Sequence, residues 1–67
     1  MSTDRILRRR EVQARTGLSR SSLYAALAAG NFPRQVALGP RSVGWLESEI
    51  TAWINARCKE RDAEHNE

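Results

Sequence analysis

The chain has 67 residues, a net charge of +3, one cysteine and one histidine. This length predicts a single domain with a small core, and a lone Cys58 and a lone His65 exclude an internal disulfide and a cysteine–histidine metal site. No apolar run is long enough to span a membrane and no secretory signal is visible, so we expect a cytoplasmic protein that needs no cofactor.

The positive charge is concentrated in the first two thirds of the chain. Residues 1–45 contain eight arginines and two acidic residues, a net charge of +6, whereas residues 46–67 contain three basic and six acidic residues, a net charge of −3. Ten of the eleven basic side chains are arginine, whose guanidinium group donates paired hydrogen bonds to phosphate or guanine. This distribution favours a nucleic-acid partner.

Two short helices joined at a glycine are predicted in the basic part. The first covers residues 9–16 and ends at Gly17, which tolerates the positive φ of a helix C-terminus. The second covers residues 20–29, and Ser19 is its expected N-cap. Such a pair is a helix-turn-helix, whose second helix enters the DNA major groove. Three apolar residues share the face of the second helix that is predicted to be buried: Leu23, Ala26 and Leu27.

A β-hairpin and a third helix are predicted in the rest of the chain. Phe32 is expected in the core, and strands over residues 35–38 and 43–46 flank a turn that contains Gly39 and Pro40. The third helix is expected over residues 47–61, followed by a frayed polar tail from Asp62. The apolar residues expected to pack are Val36, Leu38, Val43 and Trp45 in the hairpin and Ile50, Trp53, Ile54 and Cys58 in the helix.

This order of elements predicts a mainly α fold with a small β-hairpin, a winged helix-turn-helix. We expect one domain over residues 1–67, with an ordered core over about residues 6–61 and an extended segment at Ile6 and Leu7. No nucleophile is paired with a base and no phosphate-binding glycine motif is present, so we expect no enzyme activity.

The candidate DNA-binding residues lie on the second helix, around the hairpin and at the start of the first helix. Arg20 suits guanine or phosphate, and hydroxyl groups near it suit phosphate oxygens. Arg41 at the hairpin tip suits the negative potential of a narrow minor groove. Consecutive arginines at positions 8–10 should point in three directions, so we expect at most two on one surface and one phosphate contact. The predicted set is Ser19, Arg20, Ser21, Ser22, Tyr24, Arg34, Arg41 and Arg9.

Three segments, TGLSRSSLY, GNFPRQVALGPRSVGW and LESEITAW, together resemble the AlpA-like family of small prophage transcriptional regulators. The resemblance covers roughly residues 7–61 and extends to phage excisionases and, more distantly, to MerR-type winged helices. It implies a DNA-binding winged helix-turn-helix with Ser19, Arg20, Ser21, Ser22 and Tyr24 on the recognition helix and Arg41 on the wing. Arg9 departs from the family, which usually has an apolar residue there.

Three hypotheses about function follow. The first is a sequence-specific regulator of phage or genomic-island genes that binds double-stranded DNA. The second is an excisionase-like protein that bends attachment-site DNA, and the third is an antirepressor that binds a protein and not DNA. One recognition helix reads only a few base pairs, so we expect a dimer or a cooperative array on DNA. An integrase and RNA polymerase are further candidate partners.

Overall fold

The computed structural model of the protein describes residues 4–65, which form three helices and three strands. In chain order these are β1 (Ile6–Leu7), α1 (Arg9–Thr16), α2 (Arg20–Ala28), β2 (Val36–Gly39), β3 (Ser42–Leu46) and α3 (Glu47–His65). The prediction of a mainly helical winged helix-turn-helix is confirmed. Residues 1–3 and 66–67 of the predicted domain lie outside the described residues.

The three strands form one antiparallel sheet in the order β1-β3-β2. Leu7 pairs with Trp45 and Val36 pairs with Gly44, and the register between β2 and β3 shifts after Ala37. The sequence predicted the hairpin but only an extended segment at Ile6 and Leu7. The pairing of β1 with β3 therefore adds a third strand and connects the helix-turn-helix to the wing.

A small apolar core lies between the inner face of the sheet and the helices. Phe32 is in this core, as predicted, and its ring packs edge-on against the indoles of Trp45 and Trp53, at centroid distances of 6.3 and 4.9 Å. The Trp45 indole donates to the carbonyl of Pro33 at 2.9 Å, and the Trp53 indole donates to the carbonyl of Asn31 at 2.7 Å. The loop between α2 and β2 is thereby held in place. The buried residues are Leu7, Val12, Leu23, Phe32, Trp45 and Ile50.

The residues before β1 bind the N-terminus of α3. The Asp4 carboxylate accepts hydrogen bonds from the Ser48 backbone N–H at 3.1 Å and from the Ser48 hydroxyl at 2.6 Å, and the Arg5 carbonyl accepts one from the Glu47 N–H at 2.8 Å. These bonds from Ser48 lower the pKa of Asp4 below its ordinary value of 3.8. A carboxylate at this end of a helix is also favoured by the helix dipole.

Three predictions are wrong, two about packing and one about the end of the third helix. Leu38 is 44% exposed because its side chain lies against Gly44, on the side of the sheet opposite to the buried Trp45. Cys58 is exposed because α3 extends beyond the body of the domain. The predicted frayed tail is helical through His65, since no glycine or proline ends α3 earlier. Within residues 4–65, no helix has both the length and the apolar character needed to cross a bilayer.

Candidate nucleic-acid interface

The turn between α1 and α2 has the geometry that the sequence predicted. Gly17 follows α1 with φ 75°, and its N–H donates to the Gln13 carbonyl at 2.8 Å. Ser19 caps α2, since its hydroxyl oxygen accepts the N–H of Ser22 at 3.1 Å. The glycine reverses the chain and the serine starts the next helix, so the direction of α2 is fixed locally.

Gln13 connects the first turn of α1 to the turn between α1 and α2. Its side-chain oxygen accepts a hydrogen bond from the Arg9 guanidinium at 2.9 Å, and its side-chain nitrogen donates to the Leu18 carbonyl at 3.3 Å. The two hydrogen bonds, from Arg9 to Gln13 and from Gln13 to Leu18, orient the Arg9 side chain relative to the start of α2. Arg9 is half-buried. An apolar residue at position 9 could not make the hydrogen bond to Gln13.

A first groove, here called the arginine groove, joins three separate elements. It has a volume of about 290 Å³. The start of α1 contributes three arginines, α2 contributes Tyr24, and the wing contributes Arg41 and Val43. Four arginines that line one concavity create a positive local potential, which suits an anion such as phosphate. Its lining residues are Arg8, Arg9, Arg10, Tyr24, Arg41 and Val43.

A second groove, next to Tyr24, lies between α2 and the residues just before β2. It has a volume of about 490 Å³. Tyr24 lines both grooves and is 39% exposed, so the two grooves are adjacent. Arg34 lies in the loop that the two tryptophan indoles hold and lines this second groove. The lining residues are Tyr24, Leu27, Ala28, Arg34 and Gln35.

The exposed N-terminal turn of α2 extends this surface. Arg20 and Ser21 are exposed and lie four and three residues before Tyr24, on the same side of the helix. Ser19 donates its hydroxyl hydrogen to the Ser22 hydroxyl at 3.0 Å, so both serines make capping bonds. We call the two grooves together with this turn the recognition face.

Ion pairing separates the arginines of the recognition face from the others. Four ion pairs occur among the described residues, all with arginines outside the face: Arg5–Glu11, Arg15–Glu47, Arg57–Glu60 and Arg61–Asp62. The other six arginines have no carboxylate partner within residues 4–64: Arg8, Arg9, Arg10, Arg20, Arg34 and Arg41. Their positive charge is therefore available to an external anion.

The structure brings together Arg9, Tyr24, Arg34 and Arg41 of the predicted set. The expectation that at most two of the arginines at positions 8–10 share one surface is wrong, because all three line the arginine groove. Arg8 precedes the helix with φ −90° and ψ 167°, so its side chain does not follow the helical spacing that the prediction assumed. The predicted set took only Arg9 from this run of three arginines, so Arg8 and Arg10 are additional lining residues of the groove.

No group of three or more candidate metal-ligating side chains occurs among the residues that the structure describes. The chemistry of the face is instead that of guanidinium, hydroxyl and phenol groups. These are hydrogen-bond donors suited to phosphate oxygens and to acceptor atoms on base edges.

Comparison with known proteins shows which family this chain is similar to. The family model described as "Prophage CP4-57 regulatory protein (AlpA)" matches residues 5–58. The "DNA-binding transcriptional activator AlpA" of Escherichia coli (strain K12) is 41% identical over 64 residues, with 87% of this chain and 91% of the relative covered. The "Uncharacterized protein ORF88" of Enterobacteria phage P4 is 46% identical over 61 residues, with 91% of this chain and 69% of the relative covered.

Proposed function

Because this chain belongs to the AlpA family of prophage regulatory proteins, we propose that it is a transcriptional regulator that binds double-stranded DNA. The observation that carries the proposal is the recognition face, where arginines from three elements surround Tyr24 without carboxylate partners among residues 4–64. The name of the Escherichia coli relative supports the same activity.

In this proposal α2 lies in the major groove. Arg20 at its first turn forms the bidentate hydrogen bonds to a guanine that guanidinium geometry favours. Ser21 donates its hydroxyl to a phosphate or base edge, and Tyr24 donates to the backbone one turn later. Ser19 and Ser22 fix the start of the helix and lie close enough to the same strand to bind a phosphate oxygen.

The wing and the start of α1 bind the flanking DNA backbone. Arg41, in the two-residue turn between β2 and β3, enters the adjacent minor groove, where a narrow groove concentrates negative potential. Arg9 and Arg34 bind phosphates on the two sides of Tyr24. The arginine groove then holds the backbone strand that separates the major groove from the minor groove.

The proposed targets are promoters of phage or genomic-island genes, and the proposed activity includes no catalytic step. A single α2 reads only a few base pairs, so more than one copy binds each control region. An integrase or RNA polymerase beside such a site is the corresponding protein partner.

The test begins by selecting bound sequences from a random duplex library, followed by fluorescence anisotropy on the selected duplex and on a scrambled one. Arg20→Ala should weaken binding to the selected duplex by about 1–3 kcal/mol and relax specificity at one base pair. Arg20→Lys should lose the same discrimination, since an ammonium group cannot make the bidentate pair.

Arg61→Ala is the matched control, because it removes one positive charge from α3, outside the recognition face. It should leave specificity unchanged. An absence of wild-type binding at low salt would refute the proposed function. Equal weakening of selected and scrambled duplexes by Arg20→Ala would refute the assignment of Arg20 to a base.

A further inference from the structure

The side-chain amide of Gln13 links an arginine of the arginine groove to the turn before α2. Its Oε1 accepts a hydrogen bond from Nη1 of Arg9 at 2.9 Å, and its Nε2 donates to the carbonyl of Leu18 at 3.3 Å. Both bonds are partly buried, so water competes with them less than it would at an exposed site. Leu18 directly precedes the N-cap of α2 and packs against the core. One side chain therefore reaches from the arginine groove to the start of α2.

This position requires a side chain that both accepts and donates a hydrogen bond and that carries no charge. An amide has an acceptor oxygen and a donor nitrogen, whereas a carboxylate only accepts and an ammonium group only donates. A carboxylate at position 13 would also form an i, i+4 ion pair with Arg9 and cancel a charge of the groove. Gln13 instead orients Arg9 and leaves its charge and its other N–H donors free for a phosphate.

A second side chain of α1, Thr16, also binds Leu18 but makes no bond toward the groove. The Thr16 hydroxyl oxygen accepts the Leu18 N–H at 3.3 Å, and its hydrogen is donated to the carbonyl of Val12 at 2.8 Å. The bonds of Thr16 thus stay inside α1 and the turn. Both side chains hold the turn, and only the bonds of Gln13 continue to a groove arginine.

We propose that Gln13 is a positioning residue that couples phosphate binding by Arg9 to base recognition by Arg20. This inference rests on the proposed function and specifies how contacts on two different helices act together. Arg20 is the first residue of α2 and follows Leu18 by two positions. A phosphate that fixes the Arg9 guanidinium also fixes the Gln13 amide, and the amide then holds the backbone from which α2 begins.

The coupling follows from the ordering of long side chains. Arg9 and Gln13 have several rotatable bonds, and binding restricts them. Once a phosphate has ordered this pair, the start of α2 is already held, so Arg20 binds a base with less further loss of conformational freedom. The effect is reciprocal, since each contact strengthens the other by the same factor. Phosphates are present on every duplex, but the phosphate contact becomes stronger only where the base is correct, so the coupling increases specificity.

The test is a double-mutant cycle, measured by fluorescence anisotropy on the selected duplex. Arg9→Ala, Arg20→Ala and the double variant are compared with the wild type. The double variant should lose about 5-fold less affinity than the product of the two single losses, because contacts within one network are not additive. The cycle is repeated in Gln13→Met, which keeps an unbranched side chain with a high helix propensity. In that background the two losses should simply multiply.

Two further backgrounds separate the coupling from the stability of the turn. Gln13→Glu can still accept from Arg9 but cannot donate to the Leu18 carbonyl, so it should also abolish the coupling. Thr16→Val removes the other side-chain hydrogen bond to Leu18 with little change of shape, and it should retain the full coupling. Circular dichroism melts check that each background is folded, which is the expected result for these partly exposed positions.

Losses that multiply in the wild type, or a coupling that persists in either Gln13 variant, would overturn the inference while leaving DNA binding and the proposed function intact. An equal loss of coupling in Thr16→Val would assign the effect to the stability of the turn and would also overturn the inference. A wild-type protein that does not bind the selected duplex would instead refute the proposed function itself.

Discussion

The salt dependence of DNA binding should decrease by a defined amount in Arg41→Ala. Six arginines of the recognition face have no carboxylate partner within residues 4–64, and Arg20 is assigned to a base, so five are available for phosphates. Each neutralised phosphate contributes about −0.9 to the slope of log K against log salt, which gives about −4.5 for the wild type and −3.6 for the variant.

This difference is measurable by anisotropy titrations at several salt concentrations. Between about 50 and 200 mM salt, affinity should fall about 500-fold for the wild type and about 150-fold for Arg41→Ala. The variant should lose affinity similarly on selected and scrambled duplexes. Arg61→Ala has the same net charge as Arg41→Ala but should keep the wild-type slope, since Arg61 pairs with Asp62 on α3. Identical slopes for Arg41→Ala and the wild type would refute the proposed contact of Arg41 with the DNA.

Two further predictions concern the scaffold of the site. Gly17→Ala should destabilise the domain by about 1–2 kcal/mol in urea unfolding. The reason is the φ of 75° at this residue, since no atom would obstruct a Cβ there. Gly39→Ala, at an ordinary φ, is the control, and an equal loss of stability in both variants would contradict the reasoning. Asp4→Asn should reduce thermal stability at neutral pH but not in acid. The hydrogen bonds from Ser48 that lower the pKa of Asp4 stabilise the fold above pH 3.8, and this contribution is lost as the pH falls through the lowered pKa. Melting curves of both proteins against pH test this, and a constant difference would contradict it.

The local signals in the sequence predicted the helix-turn-helix closely. Gly17 and Ser19 are residue types with strong positional preferences at helix ends, and both act where expected. The end of α3 was less predictable, because its polar C-terminal part contains no residue that stops a helix. The two-residue strand β1 is too short to show an alternating pattern, so its pairing with β3 could not be predicted.

The candidate site was predictable in its composition but less so in its arrangement. Arg41 and Tyr24 were identified from their positions on the hairpin and α2, and the structure places both in the arginine groove. Leu38 was misassigned because an alternating pattern shows that Val36 and Leu38 share a face of the strand but not which face the helices cover. The shared location of Arg8 and Arg10 depends on the non-helical backbone of Arg8, which no local pattern reveals.

The contacts of Asp4 and Arg5 with Ser48 and Glu47 have a consequence for biosynthesis. The pairing of β1 with β3 and the anchoring of α3 both join segments about forty residues apart. They therefore form only after most of the polypeptide has left the ribosome. The helix-turn-helix emerges earlier and can collapse locally, but the arginine groove also requires the wing. The nascent chain therefore acquires its full anion-binding concavity late in translation, together with the closing of the sheet.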